Sequence, residues 1–195
     1  MKNGSLIRCP WSTNDEIYIK YHDTEWGKPL RNSQKLFEFL ILDGAQAGLS
    51  WLTILKRRDG YRRAFDGFDP QIMAGYGQKD INRLLADKGI IRNKLKIESA
   101  INNARAYCEM AERKVSFSKW LWNFVDGEPI INHWKTLAQI PTVTPLAEQI
   151  SKELKGLGFT FVGPTIVYAF IQAAGLVNDH IVDCFRYTQC SKGSV

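Results

Sequence analysis

The sequence lacks an uninterrupted apolar segment long enough to cross a bilayer. Its longest uncharged run, GFTFVGPTIVYAFIQAAGLVN, contains a Gly-Pro step together with Thr, Gln and Asn, a composition typical of a buried helix. The N-terminal stretch MKNGSLIRCPW has no apolar core followed by a small-residue cleavage site, so no secretory signal is expected. We therefore expect no membrane association and a reducing, cytoplasmic environment.

Cysteine and histidine are scarce, with four and three residues in a chain of 195. In an intracellular chain of this size, cysteines serve more often as metal ligands or inert core residues than as disulfides. Cys108 lies in the middle of a helical pattern and is expected to be inert. The scarcity directs attention to the few cysteines and histidines that stand near one another.

His180 and Cys184 stand four residues apart, which places two side chains on one face of a helical turn. Near the other end of the chain lie Cys9 and His22, and together the four would form a tetrahedral Cys2His2 metal site. Such a site would join the two chain ends and, with no open ligand position, would be structural. Taken alone, His22 is explained equally well as a hydrogen-bonded, partly buried imidazole.

Composition and charge indicate a globular protein with a polyanionic partner. Apolar residues make up 45% of the chain, enough for a core without disulfides, and we predict a single domain over residues 1–195 with two lobes. The 26 basic residues outnumber the 20 acidic ones, and the resulting net charge of +6 favours a partner such as nucleic acid. The sequence shows no internal repeat, charge block or low-complexity segment.

The pattern of caps and apolar residues predicts an all-α protein. Strand-like alternation is scarce, whereas helix-start signals recur along the chain. The longest non-helical stretch, residues 126–145, is the predicted boundary between the lobes. The start signals are Ser33, Ser50, Asp69-Pro70, Asn93 and Thr144-Pro145.

A glycine-rich connection near residues 156–165 has the layout of a helix-hairpin-helix. One helix is expected to end at Gly156 and Gly158, and an apolar turn leads through Gly163 to Pro164 at the start of the next helix. Backbone N–H groups at such a helix start can bind a phosphate without reading the base sequence. The alternative is an ordinary connection between helices, which uses the same glycine and proline signals.

Aromatic residues are concentrated in the first quarter of the chain, where their faces could sandwich a nucleobase and attract a cationic one. Phe37 and Phe39, spaced with Leu36 and Leu40, are expected to be core residues instead. Asp43 places a carboxylate on the apolar face of the same predicted helix. It must either meet a cationic or hydrogen-bonding ligand or cap a turn at Asp43-Gly44. The aromatic residues are Trp11, Tyr18, Tyr21, Trp26, Phe37, Phe39 and Trp51.

Five ordered blocks of the sequence together resemble the 3-methyladenine DNA glycosylase I family. The blocks are YHDTEWGKP, LFEFLILDGAQAGLSWLTILKRR, GIIRNKLKIESAINNARAY, FSKWLWNFVDGEP and GFTFVGPTIVYAFIQAAGLVNDHIVDC. The resemblance extends from Cys9 to Cys184. It implies an all-α fold of the helix-hairpin-helix superfamily, with two helical lobes and a structural zinc that joins the termini.

The resemblance also implies which residues form the site. Asp43 supplies the catalytic carboxylate, where the family usually carries the longer glutamate. Gly48 and Leu49 form the wedge that enters the gap left in DNA by the flipped base, and Gly158 and Gly163 belong to the DNA-binding hairpin. The base-binding aromatic residues are Trp11, Tyr21, Trp26 and Trp51. The ligands of one zinc per chain are Cys9, His22, His180 and Cys184.

The implied activity is hydrolysis of the N-glycosidic bond of 3-methyladenine in double-stranded DNA by a monomeric enzyme. A 3-methyladenine nucleotide is cationic and its glycosidic bond is already weakened, so a monofunctional enzyme without strand cleavage is expected. Two other classes remain open. A zinc-stabilised helix-hairpin-helix protein could bind DNA without glycosylase activity, and a metallohydrolase would use the Cys and His residues for chemistry.

Overall fold

A computed structural model describes residues 6–12 and 15–191. Within these residues the protein is mostly helical, with eleven α-helices and two strands of two residues each, so the predicted all-α class is confirmed. Residues 1–5, which begin the stretch examined for a secretory signal, lie outside the described part, as do residues 192–195 of the predicted domain. No helix in the described ranges is both long and apolar enough to cross a membrane.

The helices follow one another with short connections. Residues Ile130–Ile131 (β1) and Val177–Asn178 (β2) pair in parallel, with Ile130 opposite Val177. Short 3-10 turns lie at Pro10–Ser12, Asp66–Phe68, Asn123–Val125 and Leu137–Gln139. The α-helices are α1 (Glu16–Thr24), α2 (Ser33–Gln46), α3 (Trp51–Leu55), α4 (Arg58–Ala64), α5 (Pro70–Ala74), α6 (Gln78–Ala86), α7 (Lys94–Glu112), α8 (Phe117–Trp122), α9 (Pro145–Gly156), α10 (Pro164–Ala173) and α11 (Phe185–Ser191).

Side-chain caps explain where most of these helices begin. Ser50, Asp69, Asn93 and Thr144 each accept a hydrogen bond from a backbone N–H in the first turn of the following helix, as the sequence predicts. The expected cap of α2 is wrong by one residue. Asn32, rather than Ser33, caps α2, because its amide oxygen accepts from the backbone N–H of Lys35 at 3.0 Å.

Helix α2 lies between two clusters of buried apolar side chains. Leu36 and Leu40 belong to the cluster that contains both chain ends and the hairpin, whereas Phe37 and Leu42 belong to a second cluster built with α4 to α7. The expectation that Phe37 and Phe39 are core residues is confirmed. Because α2 contributes to both clusters, ten of its fourteen residues are buried. The division into one domain with two lobes remains a prediction.

The segment of residues 126–145 returns to the body of the protein instead of forming an open linker. Its strand β1 pairs with β2, two residues before His180. The side chains of Asn132 and Trp134 both donate hydrogen bonds to Asp179, just after β2. This stretch therefore contains regular structure at two places and is tied to the segment that carries His180.

The predicted helix-hairpin-helix is present between α9 and α10. Helix α9 ends in a turn in which the N–H of Phe159 donates to the carbonyl of Leu154, while Gly158 adopts a φ of +89°, a conformation that favours glycine. Gly163 is the N-cap of α10 and Pro164 its first residue. The connection is fixed to α7, where Asn103 exchanges two hydrogen bonds with the backbone of Thr160.

Candidate functional site

The best-defined cavity of the described structure has a volume of about 320 Å³ and lies where α1, α2 and α10 meet. Five of its lining residues belong to the predicted site, and seven were not assigned to it from the sequence. Those assigned are Trp11, Tyr21, Trp26, Asp43 and Trp51. Those not assigned are Tyr18, Gln46, Leu137, Ile140, Ala169, Gln172 and Ala173.

The aromatic residues form a continuous wall around this cavity. The ring of Trp11 lies 5.0 Å from that of Trp26 and nearly perpendicular to it, at 77°. Tyr21 contacts Trp51 at a centroid distance of 5.5 Å, and Tyr18 extends the wall from Trp11 at 4.9 Å. Tilted and edge-to-face contacts of this kind hold the rings in place while leaving other faces free for a planar ligand. The cavity has the shape and chemistry to hold a single aromatic base.

Asp43 contributes an ionisable group to this mainly apolar cavity. Its side chain is 3% exposed, and its Oδ2 atom is buried without a hydrogen-bond partner in the described structure. Burial raises the pKa of the Asp43 carboxyl well above its ordinary value, and the positive charge of Arg58 only partly opposes this rise. The position does not fit a turn cap, because Asp43 lies inside α2 and its carboxylate faces the cavity.

Trp51 presents a second buried polar atom without a partner. Its indole Nε1 can only donate a hydrogen bond, and no described acceptor reaches it. Native proteins leave few buried polar atoms unpaired, and each one is a candidate for a ligand contact. An unpaired acceptor on Asp43 and an unpaired donor on Trp51 therefore occur on residues that line the same cavity, as expected for a ligand with both donor and acceptor groups.

Cys9, His22, His180 and Cys184 meet in a buried cluster at the junction of the chain ends. One ligand atom from each lies within 4.8 Å of all the others. The closest approaches are 3.4 Å between Cys184 Sγ and His22 Nε2, and 3.5 Å between either sulfur and His180 Nδ1. Tetrahedral zinc with sulfur at about 2.3 Å and nitrogen at about 2.0 Å holds its ligand atoms roughly 3.3–3.8 Å apart. The donor set and its spacing thus fit a four-coordinate metal.

Each imidazole of the cluster is oriented by a hydrogen bond on its other nitrogen. His22 Nδ1 donates to Asp23 Oδ1 at 2.8 Å, and Asp23 is held in turn by Arg8. His180 Nε2 donates to the backbone carbonyl of Trp26 at 3.1 Å. These bonds leave His22 Nε2 and His180 Nδ1 facing the two sulfurs, the arrangement that commonly supports metal-binding histidines.

The pKa values of the two thiols in the cluster are shifted in opposite directions. Hydrogen bonding by Cys9 and both imidazoles lowers the pKa of Cys184, and the same sulfur pair raises the pKa of Cys9. A divalent cation bound by both sulfurs would stabilise both thiolates.

The Cys2His2 cluster lies directly behind the aromatic wall. The ring of Trp26 packs on His180 at 4.6 Å, and that of Trp11 packs on His22 at 5.2 Å. Gly27 allows this close approach, because it has a φ of +74° and a Cβ atom there would lie 2.8 Å from His180 Nε2. The cluster therefore supports two of the residues that line the cavity.

The predicted wedge follows the C-terminal end of α2. Gly48 adopts a φ of +75°, and the side chain of Leu49 is 40% exposed. Lys96 fixes the start of this loop by donating to the carbonyls of Ala45 and Ala47 at 2.8 and 2.6 Å. The loop thus presents an apolar side chain to solvent from a firmly held base.

The hairpin lies close to the same end of α2. Phe161, which has a φ of +53°, packs its backbone near Gly44, where an added Cβ would be 3.6 Å from the Phe161 carbonyl oxygen. A Cβ at Gly163 would meet nothing within 4 Å, so the N-terminus of α10 is open on this side. The hairpin and the wedge loop flank a single edge of the protein.

Asp179 is the neighbour of His180 in the chain but makes no hydrogen bond to either ring nitrogen of that histidine. Its carboxylate accepts four hydrogen bonds instead. The donors are Asn132, Trp134, Tyr168 and Gln172.

The cavity residues missed from the sequence lie mainly in the segment 126–145 and on α10, far along the chain from the aromatic cluster. Gln172 had one usable signal. It is the only amide side chain in a mainly apolar helix, a signal similar to the one that distinguished Asp43.

A helix-hairpin-helix beside an aromatic, carboxylate-containing cavity defines the class of helical DNA glycosylases, which remove a base after taking it out of the duplex. The chain belongs to the methyladenine glycosylase family, whose model matches residues 11–187. Among curated proteins it is 49% identical over 182 residues to DNA-3-methyladenine glycosylase 1 of Escherichia coli, covering 93% of this chain and 97% of that protein.

Solved structures give the same result. The chain resembles 3-methyladenine DNA glycosylase I of Staphylococcus aureus, described for its recognition of 3-methyladenine, with a TM-score of 0.90 and 40% identity over 94% of this chain and 98% of that one. It also resembles a variant of 3-methyladenine DNA glycosylase I in complex with 3-methyladenine, with a TM-score of 0.89 and 40% identity over 92% and 97% of the two chains.

Proposed function

We propose that this protein is a DNA-3-methyladenine glycosylase that hydrolyses the N-glycosidic bond of 3-methyladenine in double-stranded DNA. The observation that supports this proposal most directly is a pair of buried polar atoms without hydrogen-bond partners, Asp43 Oδ2 and Trp51 Nε1. Both belong to residues that line an aromatic cavity with room for one base. The family membership agrees with this activity. We further propose that the enzyme acts as a cytoplasmic monomer.

The cavity selects a cationic base by two effects. The faces of Trp11, Tyr21, Trp26 and Trp51 attract positive charge, and the Asp43 carboxylate attracts it more strongly because it is shielded from water. A normal purine offers no charge to offset the cost of keeping Asp43 ionised. A 3-methyladenine nucleotide supplies both a charge and an exocyclic amino donor.

Cleavage needs little from the protein once the base is bound. The cationic base is a good leaving group without protonation, so an acid catalyst is dispensable. As the sugar becomes oxocarbenium-like, the neighbouring DNA phosphates and the negative charge of Asp43 stabilise it. No lysine lines the cavity in the described structure, which agrees with a monofunctional enzyme without a Schiff-base intermediate.

Incubation with methylated duplex DNA, followed by chromatography of the released bases, tests this function. The glycosylase releases free 3-methyladenine and leaves an intact strand with an abasic site. A protein that only binds DNA releases no base. A metallohydrolase loses its reaction when the metal is exchanged at constant fold, whereas a closed structural site predicts that metal removal affects the fold.

We also propose that Cys9, His22, His180 and Cys184 hold one structural zinc per chain. Two sulfur and two nitrogen donors with tetrahedral spacing favour zinc, and four protein ligands leave no position for a catalytic water. The four ligands come from α1 and the segment before it, and from the segment before α11. The role of the zinc is to hold the chain ends and, through them, the tryptophans packed on the two imidazoles.

Removing one ligand should show this structural role. We expect about one zinc per purified chain and, for Cys184→Ala, loss of the metal with a clearly lower melting temperature, because metal binding is coupled to folding. Cys108 is half-buried in α7 and does not belong to the cluster, so Cys108→Ala is the matched control and should retain both the zinc and the melting temperature of the wild type. Metal analysis and thermal unfolding measure the effect, and a metal-free wild type of undiminished stability would exclude a structural zinc.

The hairpin is expected to bind a phosphate of the lesion strand through backbone N–H groups near Gly163. Gly163→Glu places a negative side chain in that open space and should weaken binding to damaged and undamaged duplex alike, with the fold retained. A salt titration of DNA binding, with Gln149→Glu at an exposed position of α9 as a control of equal charge change, measures the effect. Equal affinity of Gly163→Glu and wild type at every salt concentration would show that the hairpin is only a connection.

Asp43 is expected to bind the cationic base directly. Asp43→Asn should keep the fold and lower single-turnover excision of 3-methyladenine about tenfold to a hundredfold, because charge-assisted hydrogen bonds contribute roughly 1.5–3 kcal/mol. Asp43→Glu restores the family's usual residue and should keep or raise the rate. Equal rates for the Asp and Asn proteins on one methylated duplex would show that the aromatic wall alone selects the base.

The raised pKa of Asp43 adds a signature in the pH profile. Below that pKa the carboxyl is neutral and attracts the cation less, so kcat/KM should fall as the pH is lowered through it. The lesion itself carries its charge at every pH of the experiment. Asp43→Asn should therefore remove this acidic limb, which separates a charge effect from general loss of packing.

A further inference from the structure

Gln172, on α10, is a further polar side chain that lines the cavity. Its Nε2 donates a hydrogen bond to Asp179 Oδ2 at 2.8 Å. An ionised carboxylate can only accept, so the amide nitrogen of Gln172 must face Asp179. The amide oxygen Oε1 then points away from Asp179, and no donor in the described ranges reaches it. The oxygen is therefore left for a ligand in the cavity.

Hydrogen bonds to both oxygens fix the orientation of the Asp179 carboxylate. It is 1% exposed, and Asn132 Nδ2 and Trp134 Nε1 donate to its Oδ1 at 2.7 and 2.6 Å. Tyr168 donates to Oδ2 beside Gln172. With four donors around two oxygens the carboxylate has no freedom to rotate, and its orientation fixes that of Gln172.

We propose that Gln172 is a second hydrogen-bond acceptor for the flipped base and that Asp179 is the residue that positions it. The inference rests on the proposed glycosylase activity and deepens it. The amino group at position 6 of 3-methyladenine has two N–H donors, enough for both the Asp43 carboxylate and Gln172 Oε1. A 3-methylguanine is also cationic but has a carbonyl oxygen at that position, which two acceptors repel. Asp43 and Gln172 together therefore discriminate between methylated purines of equal charge.

Asp179→Asn should reverse the orientation of the Gln172 amide while the Gln172 side chain itself stays in place. Trp134 can only donate, so the atom at the Oδ1 position must remain an oxygen, and the new amide nitrogen takes the Oδ2 position. There the hydroxyl of Tyr168 can turn to accept, and Gln172 must flip so that its oxygen faces the asparagine. Its Nε2 then points into the cavity and offers a donor to a carbonyl oxygen.

The test compares excision of 3-methyladenine and 3-methylguanine from one methylated duplex under single-turnover conditions. We expect Gln172→Leu to lower 3-methyladenine excision about tenfold, the loss of one hydrogen bond to a cation. Asp179→Asn should lower the ratio of 3-methyladenine to 3-methylguanine excision by about tenfold or more, because an acceptor is replaced by a donor. A purely structural role of Asp179 would lower both rates together and leave the ratio unchanged.

Asn132→Ala is the matched control, because it removes one of the two donors to Asp179 Oδ1, while Trp134 still holds that oxygen and Tyr168 and Gln172 still hold Oδ2. It should lower the melting temperature without changing the ratio of 3-methyladenine to 3-methylguanine excision. Zinc content is measured in all variants, because Asp179 is next to His180 in the chain. An unchanged ratio in Asp179→Asn together with full excision by Gln172→Leu would overturn the proposal. If the wild type releases no 3-methyladenine, the proposed function itself fails, which is a separate result.

Discussion

Helix α2 is buried between two hydrophobic clusters, and this burial determines which of its polar side chains need a hydrogen-bond or ionic partner. A charged side chain on the buried part of this helix, residues 36–45, cannot reach bulk water, so it needs a partner inside the protein or a ligand. The two acidic residues of α2 meet this need differently. Glu38 accepts hydrogen bonds from both Arg58 and Arg62, whereas Asp43, five residues later, has a buried oxygen without a partner. One helix thus carries a paired, structural carboxylate and a carboxylate whose buried oxygen has no partner in the described structure.

The same reasoning links stability to recognition. A buried polar atom without a partner costs about 1–3 kcal/mol, and the cavity contains two such atoms. The free protein must therefore be stabilised elsewhere, and the Cys2His2 cluster lies immediately behind the aromatic wall. It fixes Trp11 and Trp26, two residues of the wall of the same cavity, through the two imidazoles. A ligand that satisfies both atoms removes the cost that the free protein carries.

Local chemistry explains what could be predicted from the sequence. Four of five helix caps, the hairpin and the burial of Phe37 depend on neighbours a few residues away. The Cys2His2 set was found because cysteine and histidine are rare and their donor chemistry is specific, even though 171 residues separate Cys9 and His180. Asp43 was conspicuous because a carboxylate interrupts an apolar face. These signals do not require knowledge of how distant segments pack.

The residues that escaped prediction depend on packing between distant segments. Leu137 and Ile140 line the cavity only because β1 pairs with β2 and returns their loop to the body of the protein. The orientation of Gln172 depends on Asp179, whose carboxylate is held in part by two donors from that same loop. Contacts between residues 45 and 47 positions apart thus help to determine which atom of one amide faces the cavity. The identity of a polar residue can be read from a sequence, but the direction of its donors and acceptors follows from the fold.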